Sequence, residues 1–262
     1  MAQWDSAQYL RFERERTQPA IDLAGRIDCP APRDVLDVGC GPGNSSRVLA
    51  ERFPEAKILG IDSSPDMIAL AQQTFPAEKH PNLAFHREDA RGLSFPDQFD
   101  VIFSNAALHW VLDHRPVLEG IRQSLKPGGR ILLQMGGKGN GGELLAIFDR
   151  LMKADRWAAH FQGFSFPYGF FVPDQYNGWL RRAGLTPRRA VLIPKKMVHR
   201  NREEFVAWIR VTWLPYTHRV PESQRTEFIE EAANAYLRAR RWDGKSEISL
   251  QMVRLEVEAS KC

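Results

Sequence analysis

The sequence predicts an α/β protein built on a parallel sheet covered by helices on both faces. Three observations carry this expectation. Near-continuous Val/Ile/Leu runs recur at 33–39, 57–62, 99–105 and 130–136. Segments of helical pattern separate them, and a glycine-rich turn follows the first run. Strands of a parallel sheet are buried on both faces, so they read as apolar runs rather than alternations.

Residues 8–27 open the chain as a helix, with Leu10, Ile21, Leu23 and Ile27 among charged positions. RDVLDVG (33–39) is the first strand, and its turn leads into the helix SSRVLAERF (45–53). KILGID (57–62) is the second strand; SSPDMIALAQQTF (63–75) follows as a helix, because serines before Pro65 make a good N-terminus. NLAFHRED (82–89) alternates like a strand, FDVIFSN (99–105) is another apolar run, and RPVLEGIRQSL (115–125) is the next helix. KPGG (126–129) turns the chain into the strand RILLQMG (130–136). Beyond it the rhythm changes. A helix at 141–161, an aromatic loop at 164–173 and a short helix at 174–185 precede two long strands at 188–200 and 247–260. Residues 201–242 between those strands are mostly helical.

The 262 residues are enough for one large domain with a substantial core. Neither repeat nor low-complexity linker interrupts them, so the expectation is a single domain over 1–262. Within it, 30–136 is the cofactor-binding core, 137–198 with 246–262 completes the sheet, and 201–245 is a helical insertion placed to act as a substrate lid. A net charge of +4 without a Lys/Arg tract argues against a nucleic-acid partner. No stretch approaches the ~18 apolar residues of a membrane span, and the N-terminus lacks a signal-peptide core. Cys29, Cys40 and Cys262 are scattered, which suits a reducing cytoplasm and offers no metal spacing. Cys40 reads as a small side chain filling the glycine turn.

The turn itself, VLDVGCGPGNSS (35–46), admits three ligands. A triphosphate loop needs a lysine after its glycines, and none follows. A dinucleotide fingerprint needs a third glycine at 44 or 46, where the chain has Asn44 and Ser46. The remaining pattern is Asp37, Gly39, Gly41 and Gly43. A carboxylate at the strand end suits the cationic side of S-adenosylmethionine, and the glycines let its methionine part lie against bare backbone. Asp62 ends the second strand, nineteen residues after Gly43, where a carboxylate can accept from both ribose hydroxyls. Asp89 with the backbone N–H of Ala90 is placed to read an adenine edge. Asn105, at the end of the fourth strand, lies beside the reactive end of a ligand across the sheet's C-terminal edge.

Taken together, Asp37/Gly39/Gly41/Gly43, Asp62, Asp89 and LKPGG (125–129) resemble a class I S-adenosylmethionine-dependent methyltransferase over roughly 30–136. YLRFERERTQPAIDLAGRI, DVGCGPGNSS, GIDSSPDMIALA and SNAALHWVLDH narrow the resemblance to the trans-aconitate 2-methyltransferase group. The resemblance implies a Rossmann-like, seven-stranded sheet whose last strand runs antiparallel, with cofactor contacts at the positions named.

On the acceptor side, His109 and Trp110 follow the fourth strand, and Tyr168 and Phe171 lie in the aromatic loop. Arg210 and Arg219 in the insertion suit an anionic acceptor, because a guanidinium matches a carboxylate. The resemblance favours O-methylation of a carboxylate on a small polyacid. A hydroxyl, amine or carbon acceptor instead requires a general base, for which His109 is the candidate. A nicotinamide-dependent oxidoreductase is the further alternative. The acceptor's identity and the oligomeric state stay open at this stage.

Overall fold

A computed structural model describes residues 13–262; the part of the expected 8–27 helix before residue 13 lies outside the described residues. In chain order the elements are α1 (Glu13–Ala24), β1 (Asp34–Val38), α2 (Asn44–Arg52), β2 (Lys57–Asp62), α3 (Pro65–Thr74), β3 (Leu83–Arg87), β4 (Phe99–Asn105), α4 (Arg115–Ser124) and β5 (Leu125–Gly136). They continue with α5 (Gly142–Leu151), the single turn α6 (Asp155–Ala158), α7 (Pro173–Arg182), β6 (Leu185–His199), α8 (Arg202–Thr212), the turn α9 (Leu214–Thr217), α10 (Glu222–Ala239) and β7 (Ile248–Lys261).

The seven strands form one sheet in the order β3-β2-β1-β4-β5-β7-β6. The pairs β1–β2, β1–β4, β2–β3 and β4–β5 are parallel, whereas β7 runs antiparallel to β5. The Rossmann-like sheet implied by the resemblance is therefore the observed one. Topology reverses direction at β1, between β2 and β4, which opens a crevice at the C-terminal ends of these strands.

The chain divides into two compact units. One holds Glu13–Lys138, Tyr168–Ile193 and Arg254–Cys262; the other holds Gly139–Pro167 and Pro194–Val253. In the first, successive residues of each central strand point to opposite layers. Val35, Val101 and Phe103 pack with Leu23 of α1, Leu49 of α2 and Ile68 of α3. Leu36, Ile102 and Leu133 pack with Val117 and Ile121 of α4 and Leu180 of α7. Burying each such side chain stabilises the fold by roughly 1.5–3 kcal/mol. LKPGG, expected as a turn, lies inside β5: Phe99 pairs with Leu125 and Val101 with Arg130, so Lys126–Gly129 bulge out of the register with β4.

The second unit is built from α5, α6 and α8–α10 around an aromatic core. Phe148 stacks on Tyr216 and Phe228, at 4.6 and 5.9 Å between centroids. Phe161 packs on Phe228, and Phe164 on Tyr216. The expected continuous helix over 141–161 is interrupted. Gly141, at φ +62°, caps α5, and Ala154 is extended at ψ 138° before α6 begins. The interruption carries Trp157 into the core, where its Nε1–H donates to Glu231 at 2.8 Å. Among the described residues, no helix is long and apolar enough to cross a membrane, and no cluster of His, Cys, Asp or Glu is arranged to hold a metal.

Candidate cofactor and acceptor site

Sheet register brings the site residues together. Asp37 pairs with Gly60 of β2 and Phe103 of β4, while Asn105 pairs with Gln134 of β5. Asp37, Asp62 and Asn105 thus lie along one sheet edge.

The three glycines after β1 have φ of +72°, +55° and +92° at Gly39, Gly41 and Gly43. That left-handed region costs an L-side chain free energy, so glycine is required by the backbone itself. Crowding adds a second reason. A Cβ on Gly39 would stand 2.2 Å from the Ala107 Cβ, and one on Gly43 would stand 2.9 Å from the Phe75 and Phe85 rings. The turn is a close-fitting cradle, with Gly39 and Gly41 half-buried and Gly43 buried.

Two carboxylates shape this cradle. Asp62 Oδ2 accepts from Gly41 N–H at 3.0 Å and Oδ1 accepts from Ser64 N–H at 2.9 Å. It does not cap α3; Ser64 does, accepting from Met67 N–H at 3.4 Å. A carboxylate has about four acceptor positions, so Asp62 keeps capacity for two ribose hydroxyls. Asp37 is fully buried, and its Oδ2 accepts from Ser45 Oγ at 2.6 Å and Ser46 Oγ at 2.7 Å. Its Oδ1 is buried without a hydrogen-bond partner. Burial pushes the Asp37 carboxyl up to about 6, against the downward pull of the two serines. An orphaned carboxylate oxygen, desolvated beneath a glycine cradle, fits a ligand that brings a cation or an N–H group. This is the fit expected for S-adenosylmethionine.

Asp89 follows β3 and accepts from Arg91 N–H at 2.9 Å, and the Arg91 guanidinium pairs with it at 2.5 Å. That side-chain bond holds its pKa low. Ala90 begins the next short turn and packs against the core cluster under α4. Asn105 Oδ1 accepts from Gln134 Nε2–H at 2.7 Å, which fixes the amide at the strand end. Cys40 is buried, and burial followed by the charges of Asp37 and Asp62 pushes its thiol far up, so it fills space and is no nucleophile.

Beyond Asn105 the chain makes a strained step at Ala106, φ +55°, and enters a short 3-10 turn, Leu108–Trp110. His109, Trp110, Tyr168 and Phe170 form an aromatic box there. The His109 ring lies 5.4 Å from Trp110, 6.0 Å from Tyr168 and 6.2 Å from Phe170, and Tyr168 stacks flat on Phe170 at 5.1 Å. Phe171 turns the other way, onto His114 and Trp179 at 4.7 Å each, and belongs to the core. Phe170 stands in the box where the sequence pointed to Phe171. Their adjacency in an irregular loop leaves no period to say which ring faces which way.

His109 Nδ1 is buried without a partner. Burial, then the neighbouring His114, depresses its pKa to about 4, so the ring is neutral near pH 7. A base of that strength is badly matched to a hydroxyl or amine proton. Arg210 and Arg219 belong to the helical unit. Arg210 donates to Thr226 Oγ1 at 3.0 Å, and Arg219 lies over the Phe164 ring at 5.6 Å.

Sequence reasoning did not assign roles to Ser45, Ser46 and Gln134. The usable signal was their spacing: serines on the first turn of α2, and a polar residue inside the apolar run of β5 directly opposite Asn105.

Comparison with known proteins agrees with this geometry. The methyltransferase-domain family matches residues 35–129. A trans-aconitate 2-methyltransferase of Methylobacterium nodulans is 36% identical over 258 residues, covering 94% of both chains. One from Rhodopseudomonas palustris is 42% identical over 135 residues, spanning 52% of this chain and 51% of that protein. In fold, the chain resembles the Bacillus subtilis YcgJ protein, with TM-score 0.60, 19% identity and coverage of 92% and 97%. It also resembles a Haemonchus contortus phosphoethanolamine N-methyltransferase 2 determined with S-adenosyl-L-methionine, with TM-score 0.57, 20% identity and coverage of 93% and 52%. The nicotinamide alternative falls away, and the chain belongs to the trans-aconitate 2-methyltransferase group of S-adenosylmethionine-dependent methyltransferases.

Proposed function

We propose that the protein methylates a carboxylate oxygen of a small organic acid, giving a methyl ester. The observation that carries this reading is the neutral, desolvated His109 in the turn after β4, in a box of aromatic rings. S-adenosylmethionine supplies an electrophilic methyl, and in-line displacement by a carboxylate leaves the bond pair on sulfur without moving a proton. A carboxylic acid of pKa ~4 is ionised at neutral pH and asks for no base. What the residues must provide is alignment and exclusion of water. Asp37 and Asp62 with the three glycines hold the cofactor, and Asn105 marks the reacting end. Asp89 and the Ala90 N–H take the adenine side. His109, Trp110 and Tyr168 form the acceptor wall, and the imidazole offers one hydrogen bond to an acceptor oxygen. The name of the full-length relatives, trans-aconitate 2-methyltransferase, supports a polyacid such as trans-aconitate as the first acceptor to try.

The test is transfer of isotope-labelled methyl to trans-aconitate and to a series of mono- and dicarboxylic acids. The expected product releases labelled methanol in mild alkali. Label that survives alkali means an ether, amine or carbon acceptor and overturns the reading.

A further inference from the structure

Leu108 opens the turn that carries His109 and Trp110, and its carbonyl accepts two hydrogen bonds. One comes from Val111 N–H at 2.9 Å within the turn; the other joins it to His114 Nε2 at 2.7 Å. A carbonyl only accepts, so Nε2 bears the imidazole proton. Nδ1 is then a lone pair, which accepts from Tyr176 O–H at 3.0 Å. Both side chains are fully buried. The turn already satisfies the Leu108 carbonyl through Val111, so the imidazole bond is not needed to complete the backbone. His114 also precedes α4 without capping it, so its side chain does not serve that helix.

The same imidazole reaches the aromatic loop. Phe171 meets it edge-on at 4.7 Å, while Gly169 N–H donates to the His109 carbonyl at 2.8 Å. A Cβ on Gly169 would stand 2.5 Å from the Val111 carbonyl oxygen, so loop and turn are in close backbone contact. His114 thus ties together the turn after β4, the aromatic loop and, through Tyr176, helix α7.

We infer that His114 and Tyr176 are positioning residues for acceptor methylation, holding His109 and Trp110 against Tyr168 and Phe170; this rests on the proposed acceptor wall. The experiment compares H114A, H114Q and Y176F with wild type for trans-aconitate kcat and KM, S-adenosylhomocysteine affinity, and the side-chain NMR shifts of His109 and Trp110. H114A is expected to lower kcat/KM for the acceptor about 10- to 100-fold, since small misplacements at a reacting centre have effects of that order. Its S-adenosylhomocysteine affinity stays within about threefold, since the pair does not touch the glycine cradle. H114Q, whose amide can donate to Leu108, recovers most of the loss, and Y176F falls between them. Should H114A fail to fold, Y176F carries the test. A loss of thermal stability alone, with acceptor constants unchanged, overturns the inference. So do unmoved His109 and Trp110 shifts, and that readout needs no turnover. A wild-type protein that methylates no acid counts against the proposed function instead.

Discussion

At the scale of single residues, the site is governed by groups whose charge is set by burial. Asp37 has an ordinary pKa near ~3.9 when unfolded and is pushed up to about 6 in the fold. A cationic ligand favours its ionised form, so S-adenosylmethionine affinity is expected to tighten as pH rises through about 6. Calorimetric titration across pH 5–8 checks this, and Asp37→Asn should bind weakly with the pH dependence removed. Asp62→Ala removes the acceptor for Gly41 and Ser64 N–H groups; the expected result is a loss of cofactor affinity of roughly 10- to 100-fold, about 1.4–2.7 kcal/mol. Gly39, Gly41 and Gly43 were legible in the sequence because left-handed backbone admits few other residues. The state of His109 was not legible, since it depends on which rings from residues 168–170 close around it.

At the scale of elements, β1, β2, β4 and β5 could be read directly from their apolar runs, because burial on both faces removes alternation, whereas the edge strand β3 was read from its alternation. β2 and β4 coincide with the expected ranges, whereas the turn expected at 126–129 is a bulge inside the longer strand β5. The helix at 141–161 could not be read correctly. Its interruption contains neither Gly nor Pro, and what accompanies it is a tertiary contact, the bond between Trp157 and Glu231. Gly39→Ala probes how tightly β1 and the turn after β4 approach. A left-handed alanine with its Cβ 2.2 Å from another is expected to destabilise the fold by at least ~1–3 kcal/mol, measured by chemical denaturation.

At the scale of the whole molecule, protonation links the site to stability. His109 and His199 are both depressed to about 4, chiefly by burial. A depressed histidine contributes stability that is complete above its unfolded pKa near ~6.5 and is lost as pH falls through the folded value. Each is worth roughly 3 kcal/mol across that window. Asp37 acts in the opposite direction, because its raised pKa favours the folded state as pH falls from about 6 toward 4. The two histidines outweigh it. Thermal unfolding should therefore shift to lower temperature between pH 6.5 and 4, and a His199→Phe variant should show a shallower fall. Division into two units left no compositional linker near residues 138–139, so it was not legible in the sequence.

The central claim is that the acceptor arrives ionised and that no residue removes its proton. The most direct measurement is kcat/KM of His109→Gln for trans-aconitate from pH 6 to 9, beside wild type. Loss within about tenfold and parallel pH profiles are predicted, because glutamine keeps a hydrogen bond and only the fit of the box changes. A loss of about 10²- to 10⁴-fold, the range removed with a general base, would contradict it.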